Sequence, residues 1–191
     1  ISNMGLRQGQ VIAVVLLVAV LGLFGDPARE LLAFDRDALA SWQLWRLVSG
    51  HFVHLGMSHL VLNLAGLGLV WYLVGQPYSG YEWLLVWAVS ITAVSTGLWF
   101  LEPELGWYVG LSGVLHGLLA AGILGTRDKG PEIWALAVAL TGKLCWEQFV
   151  GPLPGSEAAS GGAVIINAHL YGAVGGILAA ILIRVRAKAA I

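Results

Sequence analysis

The chain has little charge with which to meet water or a polyanion. Of its 191 residues 11% are charged, ten Lys or Arg against eleven Asp or Glu, and the formal net charge is -1. A basic footprint is missing, which excludes nucleic acid as a partner. One cysteine is present, Cys145, so no internal disulfide forms and the redox compartment stays open. No polar linker, low-complexity stretch or internal repeat interrupts the sequence, and the length suits one domain over residues 1–191. An initiating methionine is also missing, since residue 1 is Ile, so the native start is undefined.

What is present is apolar. Hydrophobic residues make up 58% of the chain, with nine Trp, and the mean hydropathy is +0.81. These values exceed those of soluble domains and predict an all-α integral membrane protein. Six apolar runs are candidate spans, at about 10–25, 57–75, 83–101, 111–126, 132–150 and 164–183, several of them short for a full crossing. The run Val11 to Phe24 has a barely basic amino end and no clear cleavage pattern, so it reads as a span and not a secretion signal. With the amino terminus cytoplasmic, that side carries Arg7, Arg127, Lys129, Arg184, Arg186 and Lys188 against Arg29, Arg36 and Arg46 opposite, so both termini are expected inside. Residues 26–58 form the longest connection. Leu39, Trp42, Trp45, Leu47, Val48 and Phe52 give it an apolar side, which predicts an interfacial helix on the outer leaflet.

Two polar residues stand at matched depth. Ser112, framed by Gly110 and Gly113, and His169 are each followed by about fifteen residues before a strong cationic flank, Arg127 and Arg184. At about 1.5 Å per residue both lie roughly 22 Å from the cytoplasmic face of a core about 30 Å thick. A polar group at that depth is costly and marks a function. A serine hydroxyl is a weak nucleophile and needs an adjacent base, a task suited to a neutral imidazole. His59 and Asn63, one helical turn apart, share this depth. With the Ser112 backbone N–H they are candidate donors to an oxyanion, and Ser112 begins a helix whose amino end favours negative charge. His54, just above, is a loop hydrogen-bonder or a substrate contact. Gly172 and Gly176 put small residues beside His169, so the fourth and sixth spans can pack closely. No acid of membrane depth lies near His169 in sequence. A Ser–His dyad is therefore expected in preference to a triad, with Glu147 the sole buried candidate for a third member.

Plainer readings compete at each position. A lone intramembrane serine is usually a helix-packing hydroxyl, and a lone histidine is as often structural. His51, His54 and His59, spaced His-x2-His-x4-His, suggest metal ligands but are loosely spaced and lack thiolates. Lys143 and Glu147 form an i,i+4 pair expected to neutralise itself. Cys145 reads as a small core hydrophobe, and Trp146 and Phe149 as gate residues on the fifth span.

Taken in order, Trp45-Arg46, then His54, His59 and Asn63, then Gly110-Leu111-Ser112-Gly113, then Ala168-His169 with Gly172 and Gly176, resemble the rhomboid intramembrane serine proteases over roughly residues 42–184. The resemblance implies a six-transmembrane-helix bundle with a membrane-associated first loop. It makes Ser112 the nucleophile, His169 the general base, and His59, Asn63 and the Ser112 amide the oxyanion hole, with no cofactor. Trp45 and Arg46 match a pair that anchors the first loop. Many rhomboids carry a tyrosine four residues after the nucleophile, stacked on the catalytic histidine, and here that position is His116. It is free to stack on His169, hydrogen-bond to it, or accept from Ser112. The run Leu111 to Gly117 resembles the bacterial rhombosortase subfamily. That implies single-span substrates of the inner membrane with glycine-glycine carboxyl-terminal tails, cut near the periplasmic face. Two rival classes are a catalytically silent rhomboid-like binding module and a His-ligated haem or metal membrane protein.

Overall fold

Apolar segments give their backbone N–H and C=O groups no side-chain partners, and the helix is the structure that hydrogen-bonds them segment by segment. The computed structural model describes residues 3–189. In chain order the elements are α1 (Asn3–Phe24), α2 (Asp26–Leu32), β1 (Phe34–Asp35), α3 (Arg36–Ala40), α4 (Arg46–Ser49), α5 (Met57–Val74), α6 (Gly80–Leu101), β2 (Trp107–Tyr108), α7 (Ser112–Gly125), α8 (Pro131–Phe149), α9 (Ser156–Ser160) and α10 (Ile166–Ala189). Among the described residues four helices, α1, α5, α6 and α10, are long and apolar enough to cross a membrane. The fourth and fifth candidate spans are also helical: α7 is shorter, at 14 residues, and α8 carries Lys143 and Glu147 within its 19 residues.

Local chemistry sets the helix ends. Ser79 and Glu82 make a reciprocal capping box at the start of α6, Glu82 N–H donating to Ser79 Oγ at 3.3 Å and Ser79 N–H to Glu82 Oε2 at 2.6 Å. Pro131 occupies the first turn of α8, where its missing N–H costs nothing. Arg36 closes the other end of α6. Its guanidinium donates to the carbonyls of Leu98, Trp99, Glu102 and Leu105 at 2.8–3.1 Å, consuming acceptors that the helix leaves open.

The connection over 25–56 is not one interfacial helix. It breaks into α2, α3 and α4 with the two-residue strand β1 between them, because Trp42 adopts a left-handed backbone (φ 66°) that ends α3. Of its expected apolar side, Leu39 is buried and Leu47 and Phe52 half-buried, whereas Trp42, Trp45 and Val48 are exposed. The loop is held from within by Arg46, which is 7% exposed and donates to Ala33 O at 2.8 Å, Glu30 O at 3.0 Å and Gln43 Oε1 at 2.9 Å.

At the centre α7 and α10 touch backbone to backbone. A Cβ on Gly172 would lie 1.8 Å from Gly113 O, and one on Gly176 1.9 Å from Gly117 O. Glycine is thus the residue that permits this approach, the membrane-protein use of small residues at a helix crossing. Helix α6 backs the pair, and Leu67, Trp83, Val86, Leu111, Val114 and Leu118 fill the core beside them. Helix α8 sits at the periphery. Only Ile133 and Glu147 are buried on it, while Trp146, Phe149 and Cys145 are exposed, so Cys145 is not the core residue its size suggests.

Candidate active site

The segment before Ser112 is fixed from three directions. Strand β2 pairs antiparallel with β1, Phe34 opposite Tyr108 and Asp35 opposite Trp107. Gly110 N–H donates to Gly50 O at 3.0 Å, and the buried Tyr108 hydroxyl donates to Gly110 O at 2.7 Å. Gly110 itself has φ +118°, and a Cβ there would stand 2.6 Å from His59 Cε1. Both the conformation and the space demand glycine. The chain leaves this turn directly into α7, so Ser112 opens the helix as expected.

Ser112 Oγ lies 3.0 Å from His169 Nε2, although 57 residues separate the two in sequence. His169 is 5% exposed and is held along α10 by its neighbours. Asn167 Nδ2 and Tyr171 OH each donate to Glu102 Oε1 at 2.6 Å, which ties the first turns of α10 to the end of α6. His116 stacks on the imidazole, with centroids 4.2 Å apart and planes at 18°. Its Nδ1 lies 2.7 Å from Ser112 O, and since a carbonyl only accepts, Nδ1 carries the proton. Of the three roles open to His116 from sequence, stacking is the one observed, joined by a bond to the Ser112 carbonyl.

The expected dyad has a carboxylate behind it. Both oxygens of Glu147, 2% exposed, lie 3.0 Å from His169 Nδ1. Lys143 Nζ lies 2.6 Å from Glu147 Oε1 and 3.3 Å from His169 Nδ1. The Lys143–Glu147 pair therefore forms as its spacing predicts, but it is not self-contained.

His59 and Asn63 line the same cavity as Ser112, His116, Lys143, Glu147 and His169, a space of about 340 Å³ roofed in part by α9. His59 Nδ1 accepts from Leu55 N–H at 3.3 Å, which leaves its proton on Nε2, the edge that faces Gly110. Asn63 Nδ2 donates to His59 O at 2.9 Å. His54 does not line this cavity. It packs edge-on to His59 with centroids 5.0 Å apart, and burial, then the neighbouring His59, pushes it down to about 3. His51 is elsewhere again, its Nε2 3.0 Å from Ser95 Oγ. The Ser95 hydroxyl proton goes to Leu47 O, so His51 donates and stays neutral, and burial lowers it to about 4. His51, His54 and His59 thus do not converge as metal ligands. The trio that does, His116, Glu147 and His169, has ligand atoms within 4.8 Å of one another, but an ammonium already sits on its carboxylate.

Residues 41–186 match the rhomboid domain family, about three quarters of the chain. The chain belongs to the rhomboid family. It is 30% identical over 149 residues to the rhomboid protease GlpG of Salmonella newport (strain SL254), covering 73% of this chain and 52% of that protein. The same figures hold for GlpG of Salmonella typhimurium (strain LT2). For GlpG of Salmonella choleraesuis (strain SC-B67) the identity is 29% over 139 residues, 71% of this chain and 49% of the relative. The chain spans about half the length of these relatives. Family and apolar helices together make this rhomboid an integral membrane protein.

Within the rhomboid frame, the Trp45-Arg46 pair lies away from the cavity. Trp45 Nε1 donates to Leu31 O at 3.3 Å and Arg46 holds the first loop as described. Three contributors to the site's geometry were not singled out from sequence: Tyr108, Arg36 and the Glu102 clamp. Arg36 reads there only as a charge on the outer side, and Tyr108 stands two residues before the glycine it holds, a proximity that is the one available signal.

Proposed function

We propose that this chain is an intramembrane serine endopeptidase in which Ser112 is the nucleophile and His169 the general base. The observation that carries the reading is the 3.0 Å contact between Ser112 Oγ and His169 Nε2 inside a cavity that His59, Asn63, Lys143 and Glu147 also line. Ser112 Oγ attacks the scissile carbonyl as its proton passes to His169 Nε2. The resulting oxyanion is met by the Ser112 backbone N–H at the amino end of α7, by His59 Nε2–H and by the Asn63 amide. His169 then returns the proton to the leaving amine, and a water admitted from the outer side resolves the acyl-enzyme by the reverse route. Lipid supplies no water, so the cavity opens toward the nearer, outer face.

We further propose that α7 and α8 cross the bilayer with the four longer helices, giving six spans in one domain over residues 1–191. Both termini are then cytoplasmic in a bacterial inner membrane, and the cavity opens to the periplasm. The distribution of Lys and Arg supports this orientation. Substrates are single-span membrane-anchored proteins cut near their outer end. The rhombosortase-like run Leu111 to Gly117 with His116 points to glycine-glycine carboxyl-terminal tails, whose helix-disfavouring residues ease the unwinding that cleavage needs.

The test is labelling of the purified protein in lipid vesicles with a fluorophosphonate. Wild type is expected to be labelled and Ser112→Ala not. Coexpression with a glycine-glycine-tailed single-span protein is expected to release a fragment whose new terminus, read by mass spectrometry, lies at the outer end of the span. Labelling that survives in Ser112→Ala rejects Ser112 as the nucleophile, and a wild type that takes no label leaves a silent binding protein as the better reading.

A further inference from the structure

We propose that Glu147 is a positioning residue that completes a Ser112–His169–Glu147 triad, and that Lys143 keeps its carboxylate ionised. The proposal rests on the dyad reading above and goes beyond it. The groups are joined by consecutive contacts: Ser112 Oγ 3.0 Å from His169 Nε2, His169 Nδ1 3.0 Å from each Glu147 oxygen, and Glu147 Oε1 2.6 Å from Lys143 Nζ.

Proton bookkeeping decides which tautomer these contacts hold. An ionised carboxylate has no proton to give, so two contacts at 3.0 Å require the hydrogen on His169 Nδ1. Nε2 is then a bare lone pair and accepts from the Ser112 hydroxyl, the productive arrangement. The 3.3 Å approach of Lys143 to Nδ1 argues the other way. An ammonium donating there would leave the proton on Nε2, aimed at the nucleophile as a donor. That contact is single and longer, and Lys143 has a closer acceptor in Glu147, so the carboxylate prevails.

Charge reinforces this. A carboxylate 2% exposed is costly to bury alone. Lys143, whose side chain is 29% exposed, reaches it from the cavity side and offsets that cost. During attack His169 becomes an imidazolium with hydrogens on both nitrogens. The Nδ1–H stays on the ring, hydrogen-bonded to Glu147, which remains ionised throughout. The ring is then fixed on its edge by Ser112 and Glu147 and on its face by His116. A pair that served only to neutralise itself in the bundle would not need both carboxylate oxygens on the imidazole.

The experiment uses the full chain in lipid vesicles. The second-order rate of fluorophosphonate labelling is measured for wild type, Glu147→Gln, Glu147→Asp and Ser112→Ala, with unfolding temperatures alongside. Glu147→Gln is expected to lower the rate at least ~10²-fold, because a glutamine amide can donate to Nδ1 and impose the wrong tautomer. Glu147→Asp is expected to regain part of it. Wild-type protein labelled with 15N-histidine is expected to show His169 protonated on Nδ1 by NMR, a reading that needs no variant to fold. A His169 proton on Nε2, or Glu147→Gln labelled within threefold of wild type, overturns the proposal. Either result leaves the dyad intact, whereas labelling that persists in Ser112→Ala overturns the dyad itself.

Discussion

Asn63 has two amide protons, and one is used on its own helix, donating to His59 O. The other is available to the cavity. If it meets the oxyanion, Asn63→Ala removes about 3 kcal/mol of transition-state stabilisation, roughly a 10²-fold fall in kcat/KM. Steady-state cleavage of a single-span reporter checks this, and an unchanged kcat/KM rejects the role. At this scale Ser112, His169, His59 and Asn63 stand out in the sequence because each is a costly polar group in an apolar run, and the fold brings the four to one cavity. The contact of Glu147 with His169 was not legible. The two belong to different helices, and which faces of α8 and α10 meet is set by packing that no local pattern records.

Helices α7 and α10 are separated by glycine alone at two levels, so bulk there acts directly on the distance between Ser112 and His169. Gly172→Ala would put a methyl 1.8 Å from Gly113 O. The expected result is a loss of about 1–3 kcal/mol of stability and a larger loss of labelling, as the helices part. Gly142→Ala on α8, where a Cβ meets open space, is the control and is expected to leave labelling unchanged and stability unchanged or raised by up to about 1 kcal/mol. Thermal unfolding and fluorophosphonate labelling of the two variants decide it. Helices α1, α5, α6, α7, α8 and α10 fall on the six apolar runs to within a few residues at most ends, α1 starting seven residues early and α10 running six residues late. The single interfacial helix expected within residues 26–58 is not found because the order of this connection comes from Arg36 and Arg46 reaching distant carbonyls, and a hydropathy pattern carries no trace of such bonds.

Across the whole molecule, buried neutral histidines tie stability to pH. Unfolded, His51 titrates near 6.5, whereas in the fold burial lowers it to about 4. Between these values the unfolded chain takes up a proton that the folded chain refuses. The contribution is therefore complete above about pH 6.5, declines as the pH falls, and levels off below about pH 4, a loss on the order of 3 kcal/mol. Unfolding midpoints in detergent from pH 7.5 to 4 are expected to fall on acidification, and His51→Asn to flatten the slope. A midpoint that rises toward pH 4 contradicts this account.

Helix α8 carries Glu147 inward and the chain's single thiol, Cys145, outward two residues earlier. A maleimide spin label or fluorophore therefore attaches at one defined place with no engineered cysteine. Its spectrum reports when that helix leaves its seat, and with it whether the imidazole keeps its carboxylate when a proposed single-span substrate is added.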